Sequence, residues 1–151
     1  PDVVSCVGTT QCRMAVSDTR KICLQIVAEL ASDEMFWRQI GPLRINMNGC
    51  PNNCGHAWIA DIGLRGRRRR GDDGGNVEGY SVLIGGRLTG AGRFAHHLVD
   101  VDAVGVVALL RRLLKGYLAQ RLDAAETFAV FVDRAGFDAL SAILLCGKCL
   151  V

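Results

Sequence analysis

The stretch Leu43-Arg44-Ile45-Asn46-Met47-Asn48-Gly49-Cys50-Pro51-Asn52-Asn53-Cys54-Gly55 decides how this chain is organised. Its first five residues alternate apolar and polar side chains, which is the pattern of a half-buried β-strand. The remainder is rich in Asn, Gly and Pro, which favour turns and loops. Asn52 and Asn53 suit a tight loop because Asn tolerates left-handed backbone geometry. The stretch therefore predicts a strand that leads directly into a loop carrying Cys50 and Cys54.

A second pair of cysteines lies near the start of the chain, in the loop-forming stretch Ser5-Cys6-Val7-Gly8-Thr9-Thr10-Gln11-Cys12. An iron–sulfur cubane needs four thiolates that converge on one point, and loops that expose sulfur and backbone N–H groups hold such a cluster well. Both pairs sit in loops of this kind. The spacing therefore predicts an iron–sulfur cluster with four ligands: Cys6, Cys12, Cys50 and Cys54.

The same four cysteines are also compatible with a zinc site or with an inert core. Zinc binds four cysteines, but structural zinc sites usually contain C-x2–4-C pairs, and Cys6 and Cys12 are separated by five residues. The four thiols could instead be buried without a ligand, since free cysteine is often a core residue. Cys146 and Cys149 have a C-x2-C spacing without a matching second pair, so we interpret them as an accessory tail. Cys23 is expected in the core.

Composition limits the class of protein. The chain has 151 residues, of which 50% are hydrophobic and 22% charged, so residues 1–151 can form a single domain with a substantial core. The lack of a charged and apolar leader favours a cytoplasmic protein with reduced thiols. No apolar stretch reaches about 18 uncharged residues, so no membrane span is expected. A net charge of +3, with basic clusters that lack interleaved aromatic residues, argues against a nucleic-acid partner.

Periodicity predicts an α+β fold, with a small mixed β-sheet packed against helices. Ser17 or Asp18 can cap a first helix that ends near Ser32 and has an apolar face formed by Ile22, Ile26, Val27 and Leu30. Further strands are predicted at 62–65 and 80–84. The segment 67–79, rich in Arg, Gly and Asp, is predicted to be a solvated hairpin loop.

The last third of the sequence predicts helices. Asp100 or Asp102 is expected to cap a long amphipathic helix. One or two further helices are predicted between 127 and 145, with a break near Gly136.

Several motifs in order resemble the sirohaem-dependent nitrite and sulfite reductases. They are Cys6-Val7-Gly8-Thr9-Thr10-Gln11-Cys12-Arg13, Asn48-Gly49-Cys50-Pro51-Asn52-Asn53-Cys54-Gly55 and Ala60-Asp61-Ile62-Gly63-Leu64-Arg65-Gly66. The strand and Gly-Gly turn at 79–86 and the helical end extend the resemblance over nearly the whole chain. The resemblance implies the fold of the nitrite/sulfite reductase 4Fe-4S domain.

The resemblance also implies two cofactors and a role for each cysteine. Family members hold a [4Fe-4S] cluster with four cysteines that match Cys6, Cys12, Cys50 and Cys54, and the last of them is also the axial ligand of the sirohaem iron. The implied reaction is the six-electron reduction of nitrite to ammonia or of sulfite to sulfide, in which electrons pass from a donor through the cluster to sirohaem. The stretch 60–64 resembles the nitrite enzymes slightly more.

Further cofactor contacts are expected from residues that flank the ligand loops. Arginine suits the carboxylates that sirohaem carries. The candidates are Arg13, Arg44, Arg65 and Asn53.

Family members are several hundred residues long and are built from two related halves, and the resemblance covers only the C-terminal half that carries the cluster. We therefore expect a C-terminal fragment whose partners are the N-terminal half of the same enzyme, ferredoxin or a similar donor, and a small inorganic anion. The chain alone is predicted to be inactive, because the anion-binding residues of the family belong to the other half. The run 67–70 could dock an acidic donor. The alternative function is a non-catalytic iron–sulfur module for electron transfer or regulation.

Overall fold

The computed structural model describes residues 1–71 and 74–145, and it confirms the predicted α+β fold. The described residues contain one mixed sheet whose strands follow the order of the chain. The first three strands are parallel, and each later strand is antiparallel to its neighbour. The strands are β1 Asp2–Ser5, β2 Arg44–Asn48, β3 Ile62–Arg70, β4 Asn76–Ile84 and β5 His96–Asp102.

The helices are α1 Thr19–Ser32, α2 Glu34–Ile40, α3 Val106–Gln120 and α4 Phe128–Leu145, with short 3-10 turns at Gly8–Thr10, Ala57–Ile59 and Ala103–Gly105. The predicted cap and end of α1 are confirmed: the side chain of Asp18 accepts the N–H of Lys21 at 3.1 Å, and the helix ends at Ser32. The predicted apolar face is wrong at Val27, which is 46% exposed. The predicted break near Gly136 is also confirmed, because this residue has a φ of 75° inside α4.

The main core lies between the helices and one face of the sheet. The alternation along β2 sends Ile45 and Met47 to this face, where both are fully buried. They pack in one cluster with residues of α1, α3 and α4 such as Ile26, Leu113 and Phe131. The opposite face of the sheet carries a second, smaller apolar cluster, formed by Ala57, Leu83, Ala95 and Trp58.

The predicted hairpin loop at 67–79 is wrong. Strand β3 continues to Arg70 and β4 begins at Asn76, so most of this segment is a paired β-ribbon. Arginines can form a strand here because β5 supplies carboxylates: Arg67 pairs with Asp100, and Arg69 with Asp102 at 3.2 Å.

The beginning of the last third was also predicted incorrectly. Asp100 lies inside strand β5, and Asp102 makes no side-chain cap to the turn that follows it. Helix α2 was not predicted. The cysteines of the expected accessory tail, Cys146 and Cys149, lie outside the described residues. No helix within the described ranges is long and apolar enough to cross a membrane.

Candidate functional site

Parallel pairing brings the two cysteine loops to the same edge of the sheet. Ser5 at the end of β1 is in register with Met47 in β2, and the N–H of Cys6 donates to the carbonyl of Met47 at 3.0 Å. Cys50 follows the last residue of β2 by two positions. Because parallel strands end at one edge, the chain emerges there twice, and each time it places a cysteine.

Backbone hydrogen bonds join the two loops directly. The N–H of Val16 donates to the carbonyl of Gly49 at 2.7 Å, and the N–H of Gly49 donates to Sγ of Cys6 at 3.1 Å. Within the first loop, the N–H of Cys12 donates to the carbonyl of Gly8 at 3.0 Å. The sulfur of Cys6 therefore already receives a backbone donor, as cluster thiolates commonly do.

The start of helix α1 closes the inner side of the first loop. The hydroxyl of Thr19 donates to the carbonyl of Cys6 at 2.6 Å and lies 3.8 Å from its sulfur. Gly8 makes room for this contact, since a Cβ at its position would lie 2.5 Å from Oγ1 of Thr19. Its φ of +60° is also one that glycine adopts without strain.

Two asparagine side chains on the polar face of β2 hold the loop that carries Cys54. The side chain of Asn48 is 1% exposed; its Nδ2 donates to Oδ1 of Asn53 at 2.8 Å, and its Oδ1 accepts the N–H of Gly55. Nδ2 of Asn46 donates to the carbonyl of His56 at 3.3 Å. Asn53 has a φ of 59°, so the expected left-handed geometry of this residue is confirmed.

A glycine in the neighbouring strand lets this loop lie flat on the sheet. A Cβ on Gly63 of β3 would lie only 2.2 Å from the carbonyl oxygen of Ala57. Gly55 approaches β2 in the same way, because a Cβ added to Gly55 would lie 2.3 Å from the carbonyl oxygen of Met47. Close backbone contact therefore fixes the height of Cys54 above the sheet.

The four cysteines differ in exposure. Cys50 is 7% exposed, Cys6 and Cys12 are half-buried, and Cys54 is exposed. No three His, Cys, Asp or Glu side chains between 1 and 71 or between 74 and 145 surround a single metal ion. A cubane has a different requirement, because each of its thiolates binds a separate iron, so the four sulfurs stand apart. The two loops each carry two cysteines, and the second loop also donates a backbone N–H to the sulfur of Cys6. This arrangement fits a [4Fe-4S] cluster.

A buried hydroxyl lies under the same edge. Tyr80 of β4 is fully buried, and Ser17 is a polar neighbour of its hydroxyl. Burial, reinforced by the nearby carboxylates of Glu78 and Asp18 and opposed by a hydrogen bond with Ser17, raises the pKa of Tyr80 far above its usual value. The hydroxyl therefore stays neutral.

The structure brings two of the three candidate arginines to the ligand loops. Arg13 directly follows Cys12 and is exposed. Arg65 pairs with Asn48 at the same edge, and its guanidinium lies 5.4 Å from the ring centre of Trp58. This contact is a cation–π interaction that orients the arginine.

Arg44 is not brought together with these groups. It begins strand β2 and pairs with Asp2, so it lies at the opposite end of the strand from Cys50. At about 3.3 Å per residue, four residue steps place it about 13 Å from Asn48 along the strand. Its N–H donates at 2.8 Å to the carboxylate of Asp61, a group whose pKa is raised by burial against this hydrogen bond.

Sequence reasoning missed the residues that support the loops, namely Thr19, Asn46, Asn48 and Gly63. The alternating pattern places Asn46 and Asn48 on the polar face of a strand, where solvent is the usual neighbour. The segment that buries them comes later in the chain. The signal that was available is the pair of asparagines directly before a cysteine loop, since Asn side chains hydrogen-bond nearby backbone groups.

Comparison with known proteins gives a consistent result. The family model of the nitrite and sulphite reductase 4Fe-4S domain matches residues 2–144. A sulfite reductase (ferredoxin) of Mycobacterium tuberculosis is 33% identical over 145 residues, which cover 92% of this chain and 26% of the relative. A ferredoxin–nitrite reductase of Synechococcus elongatus is 35% identical over 116 residues, which cover 74% of this chain and 21% of the relative. This chain thus spans about a quarter of the length of these relatives.

Two solved structures are similar. The structure of the Mycobacterium tuberculosis NirA protein matches with a TM-score of 0.82 and 31% identity, covering 92% of this chain and 26% of that one. The crystal structure of dissimilatory sulfite reductase I matches with a TM-score of 0.73 over 99% of this chain and 53% of that one. Its identity is 12%, so this second likeness concerns the fold alone.

Proposed function

This chain belongs to the nitrite and sulphite reductase 4Fe-4S domain family, and from that premise we propose that Cys6, Cys12, Cys50 and Cys54 bind its cluster. The cofactors of the family are a [4Fe-4S] cluster and sirohaem. The observation that carries the proposal is the hydrogen bond from the N–H of Gly49 to Sγ of Cys6, which joins the two cysteine loops at the common edge of β1 and β2.

Cys54 is the cysteine best suited to serve both cofactors. It is the exposed member of the set, so its sulfur is accessible from the side that the protein leaves open. The loop that carries it is nevertheless fixed, because Asn48 holds both Asn53 and Gly55. We propose that Cys54 would also hold the sirohaem iron, so that electrons could pass from the cluster to sirohaem through this residue.

Arg65 and Arg13 are the basic groups placed to receive sirohaem carboxylates. Arg65 is held over the ring of Trp58, whereas Arg13 directly follows Cys12 and is exposed. Asn53 lies beside Cys54, but its Oδ1 accepts hydrogen bonds from Asn48 and from the N–H of Trp58, so it acts by holding the loop. When bound, the two cofactors supply the one-electron steps that a six-electron reduction needs.

We propose that the complete protein is a larger reductase and that this chain is one of its domains, the one that binds the cofactors. The named relatives are about four times longer, and their names include ferredoxin together with either sulfite or nitrite. We propose that the remaining part of the enzyme supplies the groups that bind a nitrite or sulfite anion. Ferredoxin or a similar donor in the cytoplasm would deliver the electrons. The 151-residue chain by itself is expected to show no turnover.

The experiment is anaerobic reconstitution of the protein with iron and sulfide, followed by assay of bound iron, acid-labile sulfide and visible absorption. Four iron and four sulfide per chain are expected, and serine in place of Cys6 or Cys50 should abolish them. Cys23→Ser is the matched control, since Cys23 lies in α1 and packs against the core. Binding of one zinc and no cluster would refute the proposal.

A second step separates the enzyme from an electron-transfer module. Sirohaem is added to the cluster-loaded protein together with the rest of the reductase, supplied as a separate polypeptide. Uptake that disappears in Cys54→Ser is expected for the reductase. A cluster that forms without any uptake of sirohaem would favour the module instead.

A further inference from the structure

The sulfur of Cys6 has a second polar neighbour besides the N–H of Gly49. Oγ1 of Thr19 lies 3.8 Å from it, within the range that the large radius of sulfur allows for a hydrogen bond. Thr19 is fully buried and Cys6 is half-buried, so this contact is shielded from water on the side of the hydroxyl. Its hydroxyl is the side-chain group that approaches this ligand from the protein interior.

The direction of this hydrogen bond depends on the state of the sulfur. In a free thiol either atom can donate, whereas a thiolate bound to iron has no proton and can only accept. The hydroxyl of Thr19 is then the only group of the pair that can donate. Its single proton is donated to the carbonyl of Cys6 at 2.6 Å, and the sulfur at 3.8 Å is a second acceptor within its reach. Burial strengthens this contact because the local dielectric constant is low.

Two features of the local structure support this contact between the hydroxyl of Thr19 and the sulfur of Cys6. Thr19 is the first residue of the 14-residue helix α1, so the positive end of the helix lies beside the same sulfur. Gly8 packs against Oγ1 so closely that any side chain there would collide with it. The hydroxyl therefore has little freedom to turn away from Cys6.

We propose that the hydroxyl of Thr19 donates a hydrogen bond to the Cys6 thiolate and thereby raises the reduction potential of the cluster. A donor to a ligand sulfur withdraws negative charge, which stabilises the reduced cluster more than the oxidised one. Thr19 is thus a positioning residue that acts through Cys6. This inference rests on the proposed cluster site.

The test compares three variants of the cluster-loaded protein in a redox titration followed by electron paramagnetic resonance. Thr19→Val keeps the shape of the side chain but removes the hydroxyl, so the midpoint potential should shift to a more negative value. Thr19→Ser keeps the hydroxyl and should restore the wild-type potential. Thr10→Val is the matched control, because Thr10 lies in the same loop but is exposed and donates to the carbonyl of Val7.

The outcomes separate this inference from the proposed function. If the wild-type protein binds no cluster, the proposed function fails first. If the cluster forms and Thr19→Val leaves the potential unchanged, only the role of Thr19 is wrong. A shift in Thr19→Ser equal to that in Thr19→Val would also overturn it, since packing and not the hydroxyl would then be the cause. If Thr19→Val does not fold, Thr19→Ala decides by the same measurement.

Discussion

Nδ2 of Asn48 donates a 2.8 Å hydrogen bond to Oδ1 of Asn53, so a buried strand residue holds the residue that immediately precedes Cys54. Oδ1 of Asn48 accepts the N–H of Gly55, which follows that cysteine. A single side chain thus binds the side chain of the residue before the proposed bridging ligand and the backbone N–H of the residue after it. Strand β2, which ends at the edge of the sheet where the proposed cluster binds, therefore also shapes the Cys54 loop that begins there.

Asn48→Ala should destabilise the protein and weaken cluster retention. The substitution leaves the N–H of Gly55 without its acceptor in a buried position, and an unsatisfied buried group of this kind costs about 1–3 kcal/mol. The free energy of unfolding can be measured in urea, and cluster retention can be followed as the loss of visible absorption with time under a chelator.

Asn76→Ala is the control for this prediction, because Asn76 is an exposed asparagine at the start of β4. It should leave both measurements near wild type. Wild-type cluster retention in Asn48→Ala would show that the loop does not need this side chain.

Gly63→Ala is expected to lift the Cys54 loop from the sheet. The new Cβ would stand 2.2 Å from the carbonyl oxygen of Ala57, and the backbone there must move to relieve the overlap. Overpacking of this kind costs about 1–3 kcal/mol. Thermal unfolding should therefore occur at a lower temperature, and sirohaem uptake by the complete reductase should fall.

Gly105→Ala provides the comparison for Gly63→Ala. A Cβ at Gly105 would meet only the side chain of Val101, at 3.1 Å. Equal destabilisation by the two substitutions would contradict the proposed role of backbone contact at Gly63.

The parts of the fold that the sequence predicted are those that depend on local pattern. Strand β2 was evident because Ile45 and Met47 alternate with polar residues. Helix α1 was evident because Asp18 stands before an apolar face of helical spacing, although Val27 of that face is 46% exposed. The two cysteine loops were evident because turn-forming residues surround each pair, and the role of the four cysteines as ligands stays a prediction.

The parts that the sequence did not predict depend on partners distant in the chain. Arg67 looks solvated until Asp100, 33 residues later, is placed beside it. In the same way, Asn48 looks like an exposed strand residue until the following loop covers it. Arg44 was associated with the ligand loops because it is close to them in sequence. In space, the length of strand β2 separates Arg44 from the loop that carries Cys50.

Asp100 should make stability depend on acid pH. Burial opposes ionisation of this carboxyl, but hydrogen bonds from His97, Ser81 and Arg67 outweigh it and lower its pKa to about 2. A carboxyl with a lower pKa in the folded state stabilises the protein above the pKa of the unfolded chain, and this contribution is lost as pH falls through the folded value. We expect it to amount to at most about 2 kcal/mol, lost between about pH 4 and pH 2.

Unfolding of the cluster-free protein in urea, measured at intervals from pH 5 to pH 2, tests this expectation. Asp100→Asn should be less stable than wild type at pH 5 and should lose less stability on acidification. Asp138→Asn, at an exposed position of α4, should retain the wild-type pH dependence. Parallel acid profiles for wild type and Asp100→Asn would rule out a contribution from this carboxyl.

Cys54 should be the most reactive of the four proposed ligands when the cluster is absent. Alkylation requires access to the sulfur, and Cys54 is exposed whereas Cys50 is only 7% exposed. Brief treatment of the cluster-free protein with iodoacetamide, followed by peptide mass spectrometry, should therefore label Cys54 several-fold faster than Cys50.

Loading the cluster should abolish this difference in reactivity between Cys54 and Cys50. Iron then occupies the sulfur of Cys54, so the most exposed of the proposed ligands becomes protected together with Cys50. Cys23 is the internal control, because it is half-buried on α1 and no ligand role is proposed for it. Its labelling rate should be the same with and without the cluster. Protection of Cys23 equal to that of Cys54 would mean that loading tightens the whole fold, and labelling of Cys54 at an unchanged rate would exclude it as a ligand.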